Sequence, residues 1–244
     1  MEIRFDQQVA ILTGAGRGLG RAHAIAMALK GAKVVVNDFS GSQEISENAN
    51  SVVEEIISAG GEAIANGANV ANFDQVQSMV NKTIDKWGRV DILVNNAGIL
   101  RDKTFLKMSV EDMREVIDVH LIGSLNCSKA VWETMREQNY GRIVLTSSSS
   151  GLYGNFGQTN YGAAKMAMLG IMNTLHLEGM KYNIKVNCLA PTAGTAMTDG
   201  LFPEPVFKLM PPESVSPGVV FLCSKDAPSR KVLAAGGGSF AIFK

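Results

Sequence analysis

The first thirty-eight residues constrain the fold more than any other part of the 244-residue chain. Val9 to Leu12 form a short apolar run that is typical of a buried strand. A glycine-rich turn, TGAGRGLG, extends from Thr13 to Gly20, and helical character follows from Arg21 to Lys30. After Gly31, the run Lys33 to Val36 predicts a second buried strand. This order predicts a βαβ unit, in which a helix connects two parallel strands.

The turn and the end of the second strand together predict a dinucleotide-binding site. Gly14, Gly18 and Gly20 lack the Cβ atoms that would keep backbone N–H groups and the helix N-terminus away from a pyrophosphate. Asp38 ends the second strand, where a carboxylate can accept hydrogen bonds from ribose hydroxyls. Glycines alone would also fit an ordinary turn. Their position between two strands, with an acidic residue after the second, favours the dinucleotide.

Composition excludes several classes of protein. The 23 basic and 23 acidic residues cancel, so no long-range field favours nucleic acid or an anionic membrane as a partner. No apolar run reaches the roughly 20 residues of a membrane span, and no signal peptide is expected at the N-terminus. Three widely spaced cysteines, Cys127, Cys188 and Cys223, predict buried reduced thiols rather than a metal site. We therefore expect a cytoplasmic protein without a bound metal.

Strands and helices alternate along the rest of the chain. Further helices are predicted at about 47–59, 73–87, 110–139 with a break near Gly123, and 217–224; further strands are predicted at about 62–65, 90–94, 142–145, 184–188 and 231–234, followed by a glycine-rich tail. This alternation predicts an α/β fold, a single doubly wound Rossmann domain over residues 1–244. Its parallel sheet would have about seven strands with helices on both faces. The segment 192–212, rich in Pro, Thr and Met, is expected to form a substrate loop.

A second motif predicts proton-transfer chemistry. Tyr161 and Lys165 are four residues apart at the start of a predicted helix and therefore share one face of it. An ammonium near a phenol lowers the pKa of the phenol from about 10, and an oxidised nicotinamide acts in the same direction. Such a tyrosine can exchange a proton with an alcohol or a carbonyl oxygen. Because chance Y-x-x-x-K pairs are common, this motif gains its weight only from the motifs around it.

These motifs resemble the short-chain dehydrogenase/reductase family over the whole chain. The resemblance rests on TGAGRGLG, on NNAG at Asn95 to Gly98, and on Ser148 placed thirteen residues before Tyr161. It implies that Ser148, Tyr161 and Lys165 are catalytic and that Ser148 hydrogen-bonds the reacting oxygen. The cofactor-binding residues that it implies are Gly14, Arg17, Gly18, Leu19, Gly20, Asp38, Asn69, Val70, Asn96, Ala97, Gly98, Tyr161, Lys165, Pro191, Ala193 and Thr195.

Two positions depart from the family pattern. The usual Asp-Val beside the adenine is replaced by Asn69-Val70, which keeps hydrogen-bonding groups but loses the charge. Where the family usually has a catalytic Asn, this chain has His120 within Val119-His-Leu-Ile-Gly123. The family role of that position is a backbone carbonyl that holds a water, which a histidine can preserve. His120 is therefore included as a candidate catalytic residue, with a purely packed helix residue as the alternative.

Longer segments narrow the resemblance to one subfamily. NNAGILRDKTF from Asn95, SGLYGNFGQTNY from Ser150, and APTAG from Ala190 resemble the (3R)-hydroxyacyl-CoA dehydrogenase domain of the peroxisomal multifunctional enzyme of β-oxidation, in which a His at position 120 is usual. The implied reaction interconverts a (3R)-3-hydroxyacyl-CoA and a 3-oxoacyl-CoA. The alternatives are an NADPH-dependent 3-oxoacyl-thioester reductase of fatty-acid or polyhydroxyalkanoate synthesis, and a non-catalytic dinucleotide-binding protein.

Cofactor choice and assembly are also predicted. The Asp38 carboxylate would accept from a free 2′-hydroxyl and repel a 2′-phosphate, whereas Arg17 in the turn is a feature that often accompanies NADP in the family. Because Arg17 should be more exposed and screened by solvent, NAD is expected as the cofactor, with NADP as the alternative. By family inference, helices at about 110–139 and 161–181 form the contacts of a homodimer or homotetramer.

Overall fold

A single eight-stranded sheet forms the centre of the computed structural model, which describes residues 2–42, 44–198 and 203–243. Its strands are β1 (Val9–Thr13), β2 (Lys33–Asn37), β3 (Glu62–Asn66), β4 (Ile92–Asn95), β5 (Gly141–Thr146), β6 (Ile184–Thr192), β7 (Val232–Gly236) and β8 (Ser239–Phe243). They lie in the order β3-β2-β1-β4-β5-β6-β7-β8. All residues of β1, β4 and β5 are buried, because helices cover both faces of a parallel sheet.

Helices pack on both faces and divide the apolar core into two clusters. They are α1 (Gly18–Leu29), α2 (Glu47–Ser58), α3 (Phe73–Trp87), α4 (Val110–Ile117), α5 (Gly123–Glu137), α6 (Ser149–Tyr153), α7 (Thr159–Gly179), α8 (Glu204–Lys208) and α9 (Ser216–Cys223), with short 3₁₀ turns at Phe105–Lys107, Met180–Tyr182 and Pro212–Ser214. One cluster contains buried residues of α1, α2 and α9, and the other contains buried residues of α3, α5 and α7. The predicted doubly wound α/β fold is confirmed.

The C-terminal segment differs from the sequence-based prediction. Residues after β7 were expected to be a glycine-rich tail, but β8 returns antiparallel to β7 and becomes the eighth strand. Gly237 and Gly238 connect the two strands and have φ angles of 54° and 78°. Two consecutive residues with positive φ favour a tight hairpin turn, and glycine adopts this conformation without a steric cost. The glycines therefore mark a turn between strands.

The long helix predicted at 110–139 is also modified. No break occurs at Gly123; instead a π-helical turn, Asp118–Ile122, joins α4 to α5. This turn carries His120, which is buried. Insertions of this kind widen one turn of a helix and are frequent at functional sites. The short helix α6, which was not predicted, begins directly after Ser148.

The strand order places the cleft. β1 pairs with β2 on one side and with β4 on the other, so the connections reverse direction beside β1. In open α/β sheets, ligands bind outside the carboxyl ends of the strands at such a reversal.

Two findings concern the environment of the chain. Within the described ranges, no helix combines the length and the apolar character that a membrane crossing requires. Cys127, Cys188 and Cys223 are buried free thiols, and burial raises the pKa of each thiol to about 12.

Candidate active site

A cleft of about 500 Å³ opens at the carboxyl ends of β1 and β4. Twelve of the predicted cofactor residues line it: Gly14, Arg17, Gly18, Leu19, Gly20, Asp38, Asn69, Val70, Asn96, Ala97, Gly98 and Thr195. The other four, Tyr161, Lys165, Pro191 and Ala193, are not among the described residues that line it. The structure adds Phe39, Ile99, Leu100 and Met197 to the lining, which makes much of the wall apolar.

The glycine turn has the shape of a dinucleotide cradle. A Cβ on Gly14 would lie 2.7 Å from the Cα of Ala97, and a Cβ on Gly20 would lie 2.6 Å from the Asn96 amide nitrogen. Both glycines are therefore required by close packing between the turn and the end of β4. Helix α1 begins here with neither an acidic residue in its first turn nor a side-chain cap from Arg17. Its first backbone N–H groups can therefore bind a phosphate, and the cradle fits a dinucleotide.

The NNAG segment holds the turn and β4 together. The Asn96 side-chain amide donates to the carbonyl oxygens of Thr13 and Gly14, at 3.0 Å each. In return, the Thr13 hydroxyl oxygen accepts from the backbone N–H groups of Asn96 and Ala97. These four bonds fix the cradle to the central strands. The side-chain amide of Asn96 thus donates its hydrogen bonds to groups of the protein itself.

Asp38 has two close neighbours on the protein side of its carboxylate. The Ser46 hydroxyl donates to its Oδ2 at 2.8 Å. A Cβ on Gly16 would overlap that same oxygen, so a larger residue at position 16 would displace the carboxylate. Neither residue was singled out from the sequence, because both contacts form only after the chain folds. Arg17 is exposed at the rim of the cleft, as expected.

Asn69 and Val70 form one side wall of the cleft and are tied to neighbouring helices. The Asn69 side-chain oxygen accepts from the N–H of Ala71, and its own N–H donates to the Gln75 side chain at 2.8 Å. The Val70 carbonyl accepts from the Asn126 amide of α5. Asn69 therefore uses its side-chain oxygen to close a local turn, which an aspartate could also do.

Ser148, Tyr161 and Lys165 lie close together near the carboxyl end of β5. Ser148 caps α6, since its hydroxyl oxygen accepts from the N–H of Ser150 at 3.2 Å. Tyr161 lies in the first turn of α7, and the Lys165 ammonium lies 5.5 Å from the centre of its ring. Lys165 donates to the Thr146 carbonyl at 2.7 Å. The two helix starts thus place a hydroxyl, a phenol and an amine around one point.

Burial changes the acidity of this group, and in one case against expectation. Desolvation lowers the pKa of Lys165 to about 7, so a smaller fraction of this amine is protonated at neutral pH. The expected lowering of the Tyr161 pKa is not found. Burial raises the pKa of Tyr161, the side chain of Ser148 opposes this shift, and the negative charge of Asp102 adds to it. Only the protonated form of Lys165 can stabilise a phenolate through its charge, and a pKa of about 7 leaves only part of the amine in that form at neutral pH.

His120 is packed against the site. Its ring meets the Tyr161 ring edge-on at 5.2 Å, and its Nε2 lies 2.8 Å from the Ile99 carbonyl oxygen. Desolvation, followed by the charge of Lys165, lowers the pKa of His120 to about 3, so the ring is neutral. A Cβ on Gly98 would overlap this ring, which gives that glycine a packing role. The His120 carbonyl accepts from the Ser124 hydroxyl at 2.6 Å.

The segment after β6 is described in part. Pro191 lies in β6 and pairs with Ala235 of β7, and Ala193 is buried. Thr195 faces Gly18 across the cleft. A Cβ on Gly18 would lie 3.7 Å from the Thr195 methyl carbon. Within the predicted substrate loop 192–212, the structure has helix α8, whereas residues 199–202 lie outside the described ranges.

A hydrogen-bonded connection between two loops was not anticipated from the sequence. Gln158, which is buried just before α7, donates to the Asp102 carboxylate at 2.7 Å and accepts from the Asn155 amide at 3.1 Å. The N–H of Lys103 donates to the Gly157 carbonyl beside it. These bonds join the segment after NNAG to the loop that precedes Tyr161. The only sequence signal for them was the length of each loop.

Comparisons with known proteins agree with this geometry. A family model described as short chain dehydrogenase matches residues 8–205. The peroxisomal multifunctional enzyme type 2 of Mus musculus is 49% identical over 231 residues, which are 92% of this chain and 31% of the mouse protein. The chain thus spans about a third of the length of that relative. A 3-oxoacyl-[acyl-carrier-protein] reductase of Synechocystis is 45% identical over 227 residues, 90% of each chain.

A solved structure shows the same architecture with ligands. It is the 7α-hydroxysteroid dehydrogenase complexed with NADH and 7-oxo glycochenodeoxycholic acid, which superposes with a TM-score of 0.87. The two sequences are 30% identical, and the match covers 97% of this chain and 95% of that one.

Proposed function

Because this chain belongs to the short-chain dehydrogenase family, an enzyme family that acts on CH–OH groups, we propose that it is an NAD-dependent (3R)-3-hydroxyacyl-CoA dehydrogenase. The observation that supports the active site is the meeting of Ser148, Tyr161 and Lys165, which the His120 ring connects to Gly98 in the wall of the cleft. The acyl-CoA substrate is supported by the 49% identity to the mouse multifunctional enzyme. Ser148, Tyr161 and Lys165 are the proposed catalytic residues, with the glycine turn and Asp38 as cofactor ligands.

In this proposal, each side chain has one task. Nicotinamide, when bound, supplies the carbon that accepts or returns a hydride. Tyr161 takes the hydroxyl proton of the alcohol during oxidation and returns it to the ketone oxygen in reverse. Ser148 donates a hydrogen bond to that same oxygen, which keeps it within reach of the phenol. Lys165, held by the Thr146 carbonyl, assists loss of the Tyr161 proton whenever it is protonated itself.

We propose that His120 acts by packing rather than by proton transfer. Its ring is buried against Tyr161 and Gly98 and is neutral because burial lowers its pKa to about 3. Such a group neither gives nor takes a proton near neutral pH. It supports the orientation of the Tyr161 ring.

Replacing Tyr161 tests the catalytic assignment. Tyr161→Phe should lower turnover by at least 10²–10⁴-fold, the usual range for loss of a general acid/base, because the phenol oxygen carries the proton. Binding of NADH, measured by the fluorescence of the cofactor, should change little. The substrate panel should contain (3R)-3-hydroxyacyl-CoAs of several chain lengths, a steroid alcohol and a polyol. Near-full activity of the Phe variant would show that another group is the base.

Cofactor preference is the second test. At about 4 Å and an effective dielectric of about 20, the Asp38 carboxylate and a 2′-phosphate charge repel by about 4 kcal/mol before screening. Arg17 is exposed, so its attraction is reduced by water and salt. We therefore expect a higher kcat/KM with NAD, and a shift toward NADP in Asp38→Ala. Equal or better efficiency of the unchanged protein with NADP would contradict this assignment.

One alternative has an observation in its favour. The Synechocystis 3-oxoacyl-[acyl-carrier-protein] reductase is 45% identical to this chain, which is close to the 49% identity of the mouse enzyme. A preference for NADPH and for 3-oxoacyl thioesters in the reducing direction would support that function. A protein that binds dinucleotides without turnover of any alcohol in the panel would support the non-catalytic alternative.

We further propose that residues 1–244 form one domain and that the protein is homo-oligomeric and cytoplasmic. One sheet contains every strand of the described ranges, which supports a single domain. Buried free thiols fit a reducing compartment. Exposed apolar side chains on α5 and α7, Leu125, Met166 and Leu177, support self-association through these helices.

A further inference from the structure

We propose that Ser46 is a positioning residue for cofactor specificity: its hydroxyl fixes the Asp38 carboxylate where it discriminates against a 2′-phosphate. This inference rests on the proposed use of NAD and extends it to a residue outside the cradle. Ser46 lies eight positions after Asp38 and does not line the cleft. It acts only through the carboxylate that it holds.

The contact belongs to a short chain of hydrogen bonds that begins in helix α2. Ser46 is the N-cap of α2, and its hydroxyl oxygen accepts from the N–H of Ala49 at 3.0 Å. The same hydroxyl donates a hydrogen bond to Oδ2 of Asp38 at 2.8 Å. Because the hydroxyl oxygen already accepts a hydrogen bond from the helix, the hydroxyl proton points toward the Asp38 carboxylate. Ser46 is 5% exposed, so water competes little for either bond.

The glycine turn and the backbone also restrict this carboxylate. Gly16 lies against Oδ2, and a Cβ there would overlap it. The backbone N–H of Asp38 donates to the Asn66 carbonyl at 2.9 Å, which fixes the main chain at this position to β3. Backbone, glycine turn and Ser46 together hold one carboxylate oxygen in place. Within the described residues, no hydrogen bond to the other carboxylate oxygen is found, so that oxygen can accept from the ribose.

Fixing the carboxylate should affect the two cofactors in opposite directions. A held carboxylate accepts from a ribose 2′-hydroxyl without first losing rotational freedom, so NAD binding is favoured. A 2′-phosphate meets a charge that cannot turn away, so NADP binding is opposed. Without the Ser46 hydroxyl, the carboxylate can rotate. Affinity for NAD should then fall, and the penalty on NADP should shrink.

Calorimetric titration of the purified full chain with NAD and with NADP tests the inference without a substrate. In Ser46→Ala, the ratio of the NADP Kd to the NAD Kd should fall by about tenfold or more, in line with the loss of one hydrogen bond to a charged group. Ser46→Gly should give the same fall, although glycine at an N-cap costs the helix only slightly. Ser46→Thr keeps the hydroxyl and should keep the ratio of the unchanged protein.

Ser109→Ala is the matched control. Ser109 also caps a helix, α4, through its hydroxyl, but its cap partner is Asp112 and it does not contact Asp38. Its removal should leave the ratio within about twofold of the unchanged protein, since only helix stability is affected. If the unchanged protein prefers NAD and both Ser46→Ala and Ser46→Gly keep its ratio, the role of Ser46 is refuted. A preference of the unchanged protein for NADP would refute both this inference and the proposed cofactor.

Discussion

At the scale of single residues, the balance of charges around Tyr161 decides how easily it loses its proton. Tyr161 has three ionisable neighbours. The Lys165 amine lies over its ring and neutral His120 contacts its edge, and the negative charge of Asp102 raises its pKa. Burial raises the pKa of the phenol, and Asp102 raises it further. The enzyme therefore carries a carboxylate that opposes ionisation of its proposed base. Asp102 also has a second role, as the acceptor for Gln158.

Asp102→Asn should separate these two roles. The amide oxygen of Asn can still accept from Gln158, but the negative charge is gone, so the pKa of Tyr161 should fall. The acid limb of the kcat/KM profile for alcohol oxidation should then move to lower pH, because the deprotonated phenol is the base. The measurement is a pH series in the oxidising direction.

Asp85→Asn serves as the control for this experiment, since it makes the same charge change at an exposed position on α3. It should leave the acid limb in place. An unmoved limb in Asp102→Asn, or an equal shift in both variants, would show that Asp102 does not act on Tyr161 through its charge.

The sequence points to individual side chains where a motif carries them, and it does not point to those that only a folded contact identifies. Ser148, Tyr161 and Lys165 were chosen from their spacing, and the structure brings them together. Ser46, Gly16 and Gln158 were missed because loops place them, and no periodicity records where a loop returns. The sign of the Tyr161 pKa shift was also wrong, because sequence shows that a lysine is near but not how deeply both groups are buried.

At the scale of elements, α1 and α9 are joined by a buried polar contact on one face of the sheet. His23 of α1 is fully buried, and its Nδ1 lies 2.9 Å from the Ser216 hydroxyl of α9. Burial lowers the pKa of His23 to about 3 in the folded protein, from 6.5 for a solvated histidine. The unfolded chain thus binds a proton at a pH where the folded chain does not.

Acidification should therefore weaken this pairing of helices. A folded-state pKa below the unfolded value means that stability is complete above about pH 6.5 and is lost as the pH falls toward 3. At pH 5 the loss from His23 is about 2 kcal/mol, given a solvated pKa of about 6.5. Urea unfolding from pH 7.5 to 4.5 should show this slope, and His23→Asn should reduce it, leaving the part that comes from buried His120. A variant that is weakened equally at every pH would indicate only lost packing.

The order of elements was predictable, and their ends were less so. The apolar runs of β1, β2 and β5 identified these strands because both faces of a parallel strand are buried. The sequence predicts a tail where the hairpin to β8 lies, because the glycines from Gly236 to Gly238 are typical both of a hairpin turn and of an irregular tail. The π turn at Asp118–Ile122 was read as a break, because one extra residue in a turn leaves little trace in the apolar pattern.

At the scale of the whole molecule, the exposed apolar side chains of α5 and α7 predict self-association. Sedimentation at micromolar concentration should give at least a dimer. Leu177→Glu on α7 should shift the mass toward the monomer, because a charge would be buried without a partner in the interface. Leu29→Glu on α1 is the matched control, since its exposure, 62%, is close to the 64% of Leu177. A strictly monomeric unchanged protein would contradict the proposal.

The buried cysteines have a practical consequence. All three thiols are enclosed and have a pKa of about 12, so they are neither accessible nor ionised under ordinary labelling conditions. A cysteine introduced at an exposed position such as Lys208 would be the reactive one in the native fold. A fluorophore attached there would report on the segment after β6 while cofactor is added, with every native cysteine left in place.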